Sequence, residues 1–352
     1  MLGENYIKRG QLRGYIFEVV IRQLLKKNGW SLLNREEIDR VRIHNNYQIE
    51  IKGRGTWHQI DTPCVFSRRI PFTFPLRLLV EAKYYSKELQ KDKIRSYIGV
   101  VKDISENYFI DDTHTTASQL RYNDIAVFFS ATGFQEEAVN LAFAHGIKTI
   151  SYRTNPQMAA IKNDIADLET RGHYCSQTLG RGRQIAFMKD LEDVLEATND
   201  QEMAPFLGTY GGNDVTKEIL LQLREDLNGL TTNFMGISAS GELLHFIGRA
   251  PFPEELFEET DEQHCRVYYE DVNHRGIPMW LQFSEDRQNR KFFFDVPAGL
   301  EEIILRGGDV LNAKGHFFET ISVSFIIGNM LRSLALKIDK EWLARLKGRK
   351  VG

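Results

Sequence analysis

Apolar residues in RGYIFEVVIRQLLKKNGW fall at Ile16, Phe17, Val20, Ile21, Leu24 and Leu25. That spacing predicts a helix, and Asn28-Gly29 supplies its stop. After the charged NREEIDRVRIHNN the period changes. YQIEIKGRGTWHQID alternates, predicting two strands joined at the glycine-rich KGRG. LRLLVEAKYY is a continuous apolar run of strand length. KELQKDKIRSYIGVVKDI returns to helical spacing through Leu89, Ile94, Ile98, Val101 and Ile104. NDIAVFFSATGF reads as a buried strand, QEEAVNLAFAHG as an alanine-rich helix closed by Gly146, and IKTISY as a short strand. Strands alternating with helices build a mixed sheet with helices packed on it, so residues 1–155 are expected to form an α/β or α+β domain.

The texture changes after Asn155. QMAAIKNDIADLETRG is helical and CSQTLGRGRQ reads as a loop, which makes residues 156–213 a helical connector ending near FLGTYGGND. Residues 214–352 are expected to form a separate C-terminal α+β domain that recognises or regulates and carries no catalytic residues of its own. Its aromatic strands RVYYEDV, MWLQF and KFFFDV lie between DVTKEILLQLREDLNG and ETISVSFIIGNMLRSLALKIDKEWLARLK, both read as helical. The aromatic stripes read first as core and second as a base-stacking surface.

The chain has 352 residues, 42% hydrophobic and 26% charged, which is globular composition of a length suited to two domains. No apolar run reaches the roughly 18–20 residues of a membrane span, and the N-terminus has no signal-peptide core. The expectation is a cytoplasmic protein with no membrane partner. Cys64, Cys175 and Cys265 are scattered and odd in number, which argues against a disulfide framework or a cysteine zinc site. A net charge of −3 argues against a nucleic-acid coat protein. FSRRIPFTFPLR and KYYSKELQKDKIR nevertheless make residues 66–95 locally basic, as a nucleic-acid patch or as a solvated helix face.

The unusual chemistry sits at the end of the buried strand. Successive strand side chains alternate, so Glu81 and Lys83 share one face and Ala82 takes the other. Asp61, in GTWHQIDTP, ends another strand. Two carboxylates from adjacent strands suit a hard cation such as Mg²⁺ or Mn²⁺, which takes one or two carboxylates and keeps several waters. Such an ion polarises a phosphoryl oxygen and acidifies a bound water. Lys83 would position that water or stabilise charge at phosphorus. Glu18, on the first helix, could face the same point. Each residue has a plainer reading. Glu81 and Lys83 could be a surface ion pair, Asp61-Thr62-Pro63 a turn initiator, and Glu18 an exposed helix acid. His58 reads as a partner of Asp61 or a sheet-surface residue ahead of a metal ligand. A second Glu-x-Lys, Glu50 and Lys52 in IEIKG, would need Asp39 as its upstream acid. It precedes a glycine turn, and no strand pattern leads into Asp39.

The Glu18, Asp61, Glu81 and Lys83 set resembles the PD-(D/E)xK nuclease superfamily, and within it the Mrr-like branch of restriction and phage-defence enzymes. GYIFE at Gly14 to Glu18, HQID at His58 to Asp61, Glu81-Ala82-Lys83 and IAVFFSATGFQEEAVNLAFAHGIKTISY carry the likeness over residues 10–152. The resemblance implies a restriction-endonuclease-like mixed central sheet flanked by helices. It further implies a Mg²⁺- or Mn²⁺-dependent endonuclease hydrolysing DNA phosphodiester bonds. Asp61 and Glu81 would be the metal ligands, Lys83 the group beside the attacking water, and Glu18 a holder of a second ion or an outer water. Two protomers would cut both strands, and the partner, besides DNA, would be a second copy or a subunit of a defence system. Ile60 stands where the family often has proline, and Pro63, Pro71 and Pro75 make the segment between Asp61 and Glu81 a loop. The alternative is a catalytically inactive nuclease fold that binds nucleic acid or a partner protein. Elsewhere, GRGRQ and GTYGGND lack the Gly-Lys-Ser/Thr of a phosphate loop. No G-x-S-x-G occurs, and His245, His264, His274 and His316 lack metal-ligand spacing.

Overall fold

The computed structural model describes residues 9–33, 40–45, 47–68, 71–108, 120–172, 183–270, 277–295, 301, 309–327 and 330–349. It is a mixed α/β protein with several sheets. The chain divides into two compact units, one of Met1–Thr149 with Ile161–Leu227, the other of Ile150–Ala160 with Asn228–Gly352. Most of the segment expected as a connector, 156–213, thus belongs to the first unit.

Helix α1 (Arg9–Lys27) opens the first unit and is buried on almost every side from Ile16 to Leu25. A helix buried this completely must be apolar or internally paired all round. Arg22 accordingly sets its Nε 3.0 Å from Glu192 Oε2 and its guanidinium 4.2 Å from the centre of the Tyr47 ring. Gly29, at φ 79°, takes the left-handed conformation that ends the helix. Strand β1 (Trp30–Leu32) follows, then an antiparallel three-stranded sheet of β2 (Val41–His44), β3 (Gln48–Lys52) and β4 (Trp57–Ile60). The expected turn at KGRG joins the last two.

The main sheet adds β5 (Cys64–Phe66) and β6 (Leu76–Lys83). The chain then runs through α2 (Lys91–Ser105), β7 (Asn123–Ser130), α3 (Glu136–Ala144) and β8 (Lys148–Ser151). The order is β1-β5-β6-β7-β8. β6 pairs parallel with β7 from Leu76↔Asn123 to Lys83↔Ser130, and antiparallel with β5. Leu78, Leu79, Val80 and Ala82 are all buried, which explains the continuous apolar run of a strand covered on both faces. The segment between Asp61 and Glu81 is not wholly loop: Cys64 and Val65 pair with Leu78 and Arg77. Helices α4 (Pro156–Thr170), α5 (Gln184–Glu196), α6 (Met203–Tyr210) and α7 (Asp214–Gly229) follow.

The second unit is built on a closed barrel. Its strands are β9 (Thr232–Ser238), β10 (Leu243–Gly248), β11 (Glu262–Tyr269), β12 (Pro278–Phe283) and β13 (Phe292–Asp295). After helix α8 (Val310–Phe317) come β14 (Thr320–Ile327) and β15 (Met330–Ile338), and then helix α9 (Lys340–Arg349). The order around the barrel is β10-β13-β12-β11-β15-β14-β9, closed by pairing of β9 with β10. Closure removes the exposed edges an open sheet would leave. The interior is rich in phenylalanine, including Phe234, Phe246, Phe283, Phe292 and Phe294.

This corrects the reading of residues 319–347 as helical: most of that stretch is the β14–β15 hairpin, and only its end is helix. Ile321 and Val323 are buried while Ser322 and Ser324 are exposed, and Leu334, Leu336 and Ile338 are buried with less buried residues between them. A period of two wins over the residue count of a helix.

Candidate functional site

Glu81 and Lys83 end β6 where β5 no longer flanks it. Ala82 is fully buried, and Lys83 Nζ reaches back along the shared face to Glu81 Oε1 at 2.8 Å. The edge N–H that β5 leaves unpaired is taken by a side chain: Ala82 N–H donates to Asp61 Oδ2 at 3.0 Å. Asp61 follows β4 directly, and Thr62 N–H bonds to the Val80 carbonyl at 3.4 Å, so the chain is tied to β6 on both sides of the acid's attachment. Asp61 Oδ2 also accepts from Lys83 Nζ at 2.7 Å. Glu18, buried on α1 where that helix packs on β6, sets Oε1 3.8 Å from the same ammonium.

Three carboxylates therefore surround one cation. Burial, then the charge of Asp61, holds the Glu18 carboxyl well above the usual range, with Lys83 pulling the other way. Burial and Asp61 likewise push Glu81 up to about 7 against the opposing ammonium. For Lys83, burial favours the neutral amine, but Asp61, Glu81 and Glu18 outweigh it and hold the proton on. The cluster is an ammonium embedded among acids, two of which, Glu18 and Glu81, hold a proton more tightly than a free carboxyl does.

The donor set fits a hard divalent cation in one form. Among the described residues no three Asp, Glu, His or Cys side chains form a ready-made cage. Mg²⁺ needs fewer, because one or two carboxylates and several waters complete its shell. Asp61 and Glu81 supply two carboxylates on one side of the sheet, both bonded to one nitrogen and so no farther apart than those two bonds allow. The excess of buried acids over cations adds an electrostatic demand for positive charge.

Other sequence candidates go elsewhere. His58 turns to helix α2, where its Nε2 meets Asp103 Oδ2 at 2.7 Å, so it does not serve Asp61. Glu50 pairs with His44 at 2.9 Å, Lys52 is exposed near Trp57, and Asp39 lies outside the described residues. The basic FSRR follows β5, whose register runs away from Lys83. Arg68 is thus carried toward the start of β6, away from the carboxylates at its end. Arg69, Ile70, Cys175, His274 and the start of GRGRQ lie outside the described residues. In GTYGGND, Gly211 at φ 71° caps α6. Cys64 and Cys265 are buried free thiols. His245 is buried against Tyr152, and His264 is exposed.

Two residues near the site carried no sequence signal that singled them out. Lys93, exposed in the first turn of α2, lowers the Glu81 pKa by its charge. One turn later, Tyr97 is buried beneath β6 and donates to the Leu79 carbonyl. Their i, i+4 spacing on α2 is the one pattern that could have linked them.

No protein-family model matches the chain, and no curated protein does. A solved crystal structure, Protein of Unknown Function AF1548, is similar at 12% identity and a TM-score of 0.34. The match covers 61% of this chain and 98% of that one. So slight a likeness carries no argument about fold or activity. No helix among the described residues is long and apolar enough to cross a membrane.

Proposed function

We propose that the chain is a metal-dependent endonuclease of the PD-(D/E)xK kind, hydrolysing DNA phosphodiester bonds with Mg²⁺ or Mn²⁺ in a cytoplasmic restriction or phage-defence role. The observation that carries the reading is the convergence of Asp61 and Glu81 on Lys83, with Glu18 behind them. The order of elements supports it: a helix bearing an acid, a strand followed directly by Asp61, then after the short β5 a strand ending in Glu-x-Lys, and then helix, strand and helix. On this reading the first unit is a restriction-endonuclease-like domain, and two copies act together to cut a duplex.

Asp61 and Glu81 would hold the metal, which when bound supplies Lewis-acid polarisation of a phosphoryl oxygen and acidification of water. Ala82 N–H fixes the Asp61 carboxylate, so the ligand needs no reorganisation when a cation arrives. Lys83 works as a fixed positive charge beside the phosphorus, because the neighbouring acids prevent its deprotonation. Glu18 orients water or a second cation from the helix side.

The test is incubation of the purified chain with supercoiled plasmid and Mg²⁺ or Mn²⁺, with EDTA and Lys83→Ala as controls. Cleavage by the wild type alone, abolished by EDTA, is expected. Cleavage that persists in EDTA or in Lys83→Ala overturns the mechanism. DNA binding with no cleavage by the wild type would assign the chain to the inactive binding alternative.

A further inference from the structure

The aromatic stripes of the second unit divide between the two sides of the barrel wall. Val267, Met279, Leu281, Phe283, Phe292 and Phe294 point inward and are buried. Tyr268, Trp280 and Phe293 alternate with them, face outward and stay partly exposed. Register places these three side by side: Tyr268 is opposite Trp280, and Trp280 is opposite Phe293. The Tyr268 and Trp280 rings stack at 5.6 Å and 15°, and Trp280 and Phe293 lie 5.9 Å apart at 47°. The result is a continuous row of rings across three strands, partly exposed, with Trp342 of α9 meeting Tyr268 edge-on at 5.2 Å at its β11 end.

We propose that this outer face of β11, β12 and β13 is a stacking platform for single-stranded nucleic acid. It is separate from the carboxylate cluster and does not depend on the nuclease reading. The polar residues beside the rings carry the choice of ligand. Next along the strands stand Gln282 and its partner Arg266, whose Nε is paired with Asp339 Oδ2 at 3.0 Å, and Lys291 brings its ammonium 4.7 Å from the centre of the Trp280 ring. On the other side of the row lie Glu270 and Asp295, the latter already bonded to Ser151 and Thr154. The platform thus has a cationic flank and an acidic flank. A strand crossing it would lay bases on the rings and carry phosphates past Lys291, with the Asp339-paired Arg266 beyond it. A duplex offers no free base faces, whereas every base of a single strand has one, and aromatic stacking with flanking cations is how such strands are held without sequence readout. Cross-strand ring pairs also stabilise sheets, so binding has to be measured directly.

The experiment uses the full chain in EDTA, with fluorescein-labelled oligo-dT and oligo-rU followed by anisotropy at low and moderate salt. Wild type is expected to bind both, more weakly as salt rises. Trp280→Ala should weaken binding about tenfold, and Trp280→Phe should keep most of it. Lys291→Glu, at an exposed position, keeps the three rings themselves and should also weaken it and flatten the salt dependence. Absence of binding by wild type at low salt, or affinity unchanged in both Trp280→Ala and Lys291→Glu, overturns the proposal.

Discussion

Asp61 Oδ2 accepts the Ala82 N–H at 3.0 Å and the Lys83 ammonium at 2.7 Å, so one carboxylate oxygen both replaces a missing ladder bond of β6 and neutralises the strand's terminal cation. The site is built into the sheet and not laid on it. The cost is three acids crowded into a space where burial disfavours their charge.

That crowding predicts a gain of stability when an acid is removed. Glu81 titrates near 7 in the folded chain and near 4.5 when unfolded. The folded state therefore binds more protons across that interval, and its stability falls as pH rises through it. Glu81→Gln should stabilise the fold at pH 8 by on the order of 1–3 kcal/mol, seen as a higher melting temperature, while abolishing cleavage. The gain should shrink toward pH 5. Thermal melts of both proteins across that range check it, and equal stability at pH 8 would contradict the burial and repulsion inferred at Glu81.

Lys83 is expected to act as a cation. Its proton is held by Asp61, Glu81 and Glu18 well beyond neutral pH. Cleavage should rise as Glu81 loses its proton near 7 and then stay level to pH 9. Lys83→Ala should cost at least about 100-fold in kcat, with Lys83→Arg recovering part. A steep rise between pH 7 and 9 that disappears in Lys83→Arg would show a neutral-amine base instead.

His245 gives the second unit an acid-sensitive lock. Tyr152 donates its hydroxyl proton to His245 Nδ1 at 2.6 Å, and His245 Nε2–H points at Asn233 Oδ1 at 3.3 Å, an arrangement that suits the neutral ring. Burial lowers its pKa from 6.5 to about 3. The unfolded chain thus binds the extra proton between those values, and stability is lost as pH falls through them. The contribution should approach about 1.4 kcal/mol per pH unit. Comparing denaturant unfolding of wild type and His245→Gln from pH 7 to 4 checks it. The variant should be less stable at pH 7 but flatter with pH.

A side chain at Gly53 would collide with the Asp103 carboxylate. A Cβ there would sit 1.9 Å from Asp103 Oδ2, the oxygen that holds His58. Gly53→Ala must displace that carboxylate and loosen the β3–β4 turn from α2, costing about 1–3 kcal/mol. A lowered urea midpoint with an unchanged denaturant slope is expected. Gly55→Ala, whose Cβ would stand at ordinary contact distance from Asp103, should cost less.

The sequence by itself determined the local periods of the first unit. The helical spacing of α1, the apolar run of β6 and the alternation that puts Glu81 and Lys83 on one face all follow from backbone geometry, so they could be read residue by residue. Tertiary structure decided what that geometry leaves open. Asp61 meets Lys83 only because β5 stops short and frees the Ala82 N–H, and the raised pKa of Glu81 comes from burial that no neighbour in sequence supplies. The β14–β15 hairpin is fixed by distant partners, β11 beside β15 and β9 beside β14, which is why its apolar residues could pass for helix. Barrel closure then chose which half of each aromatic stripe became core and which faced water, since a period of two marks two faces without saying which one is buried.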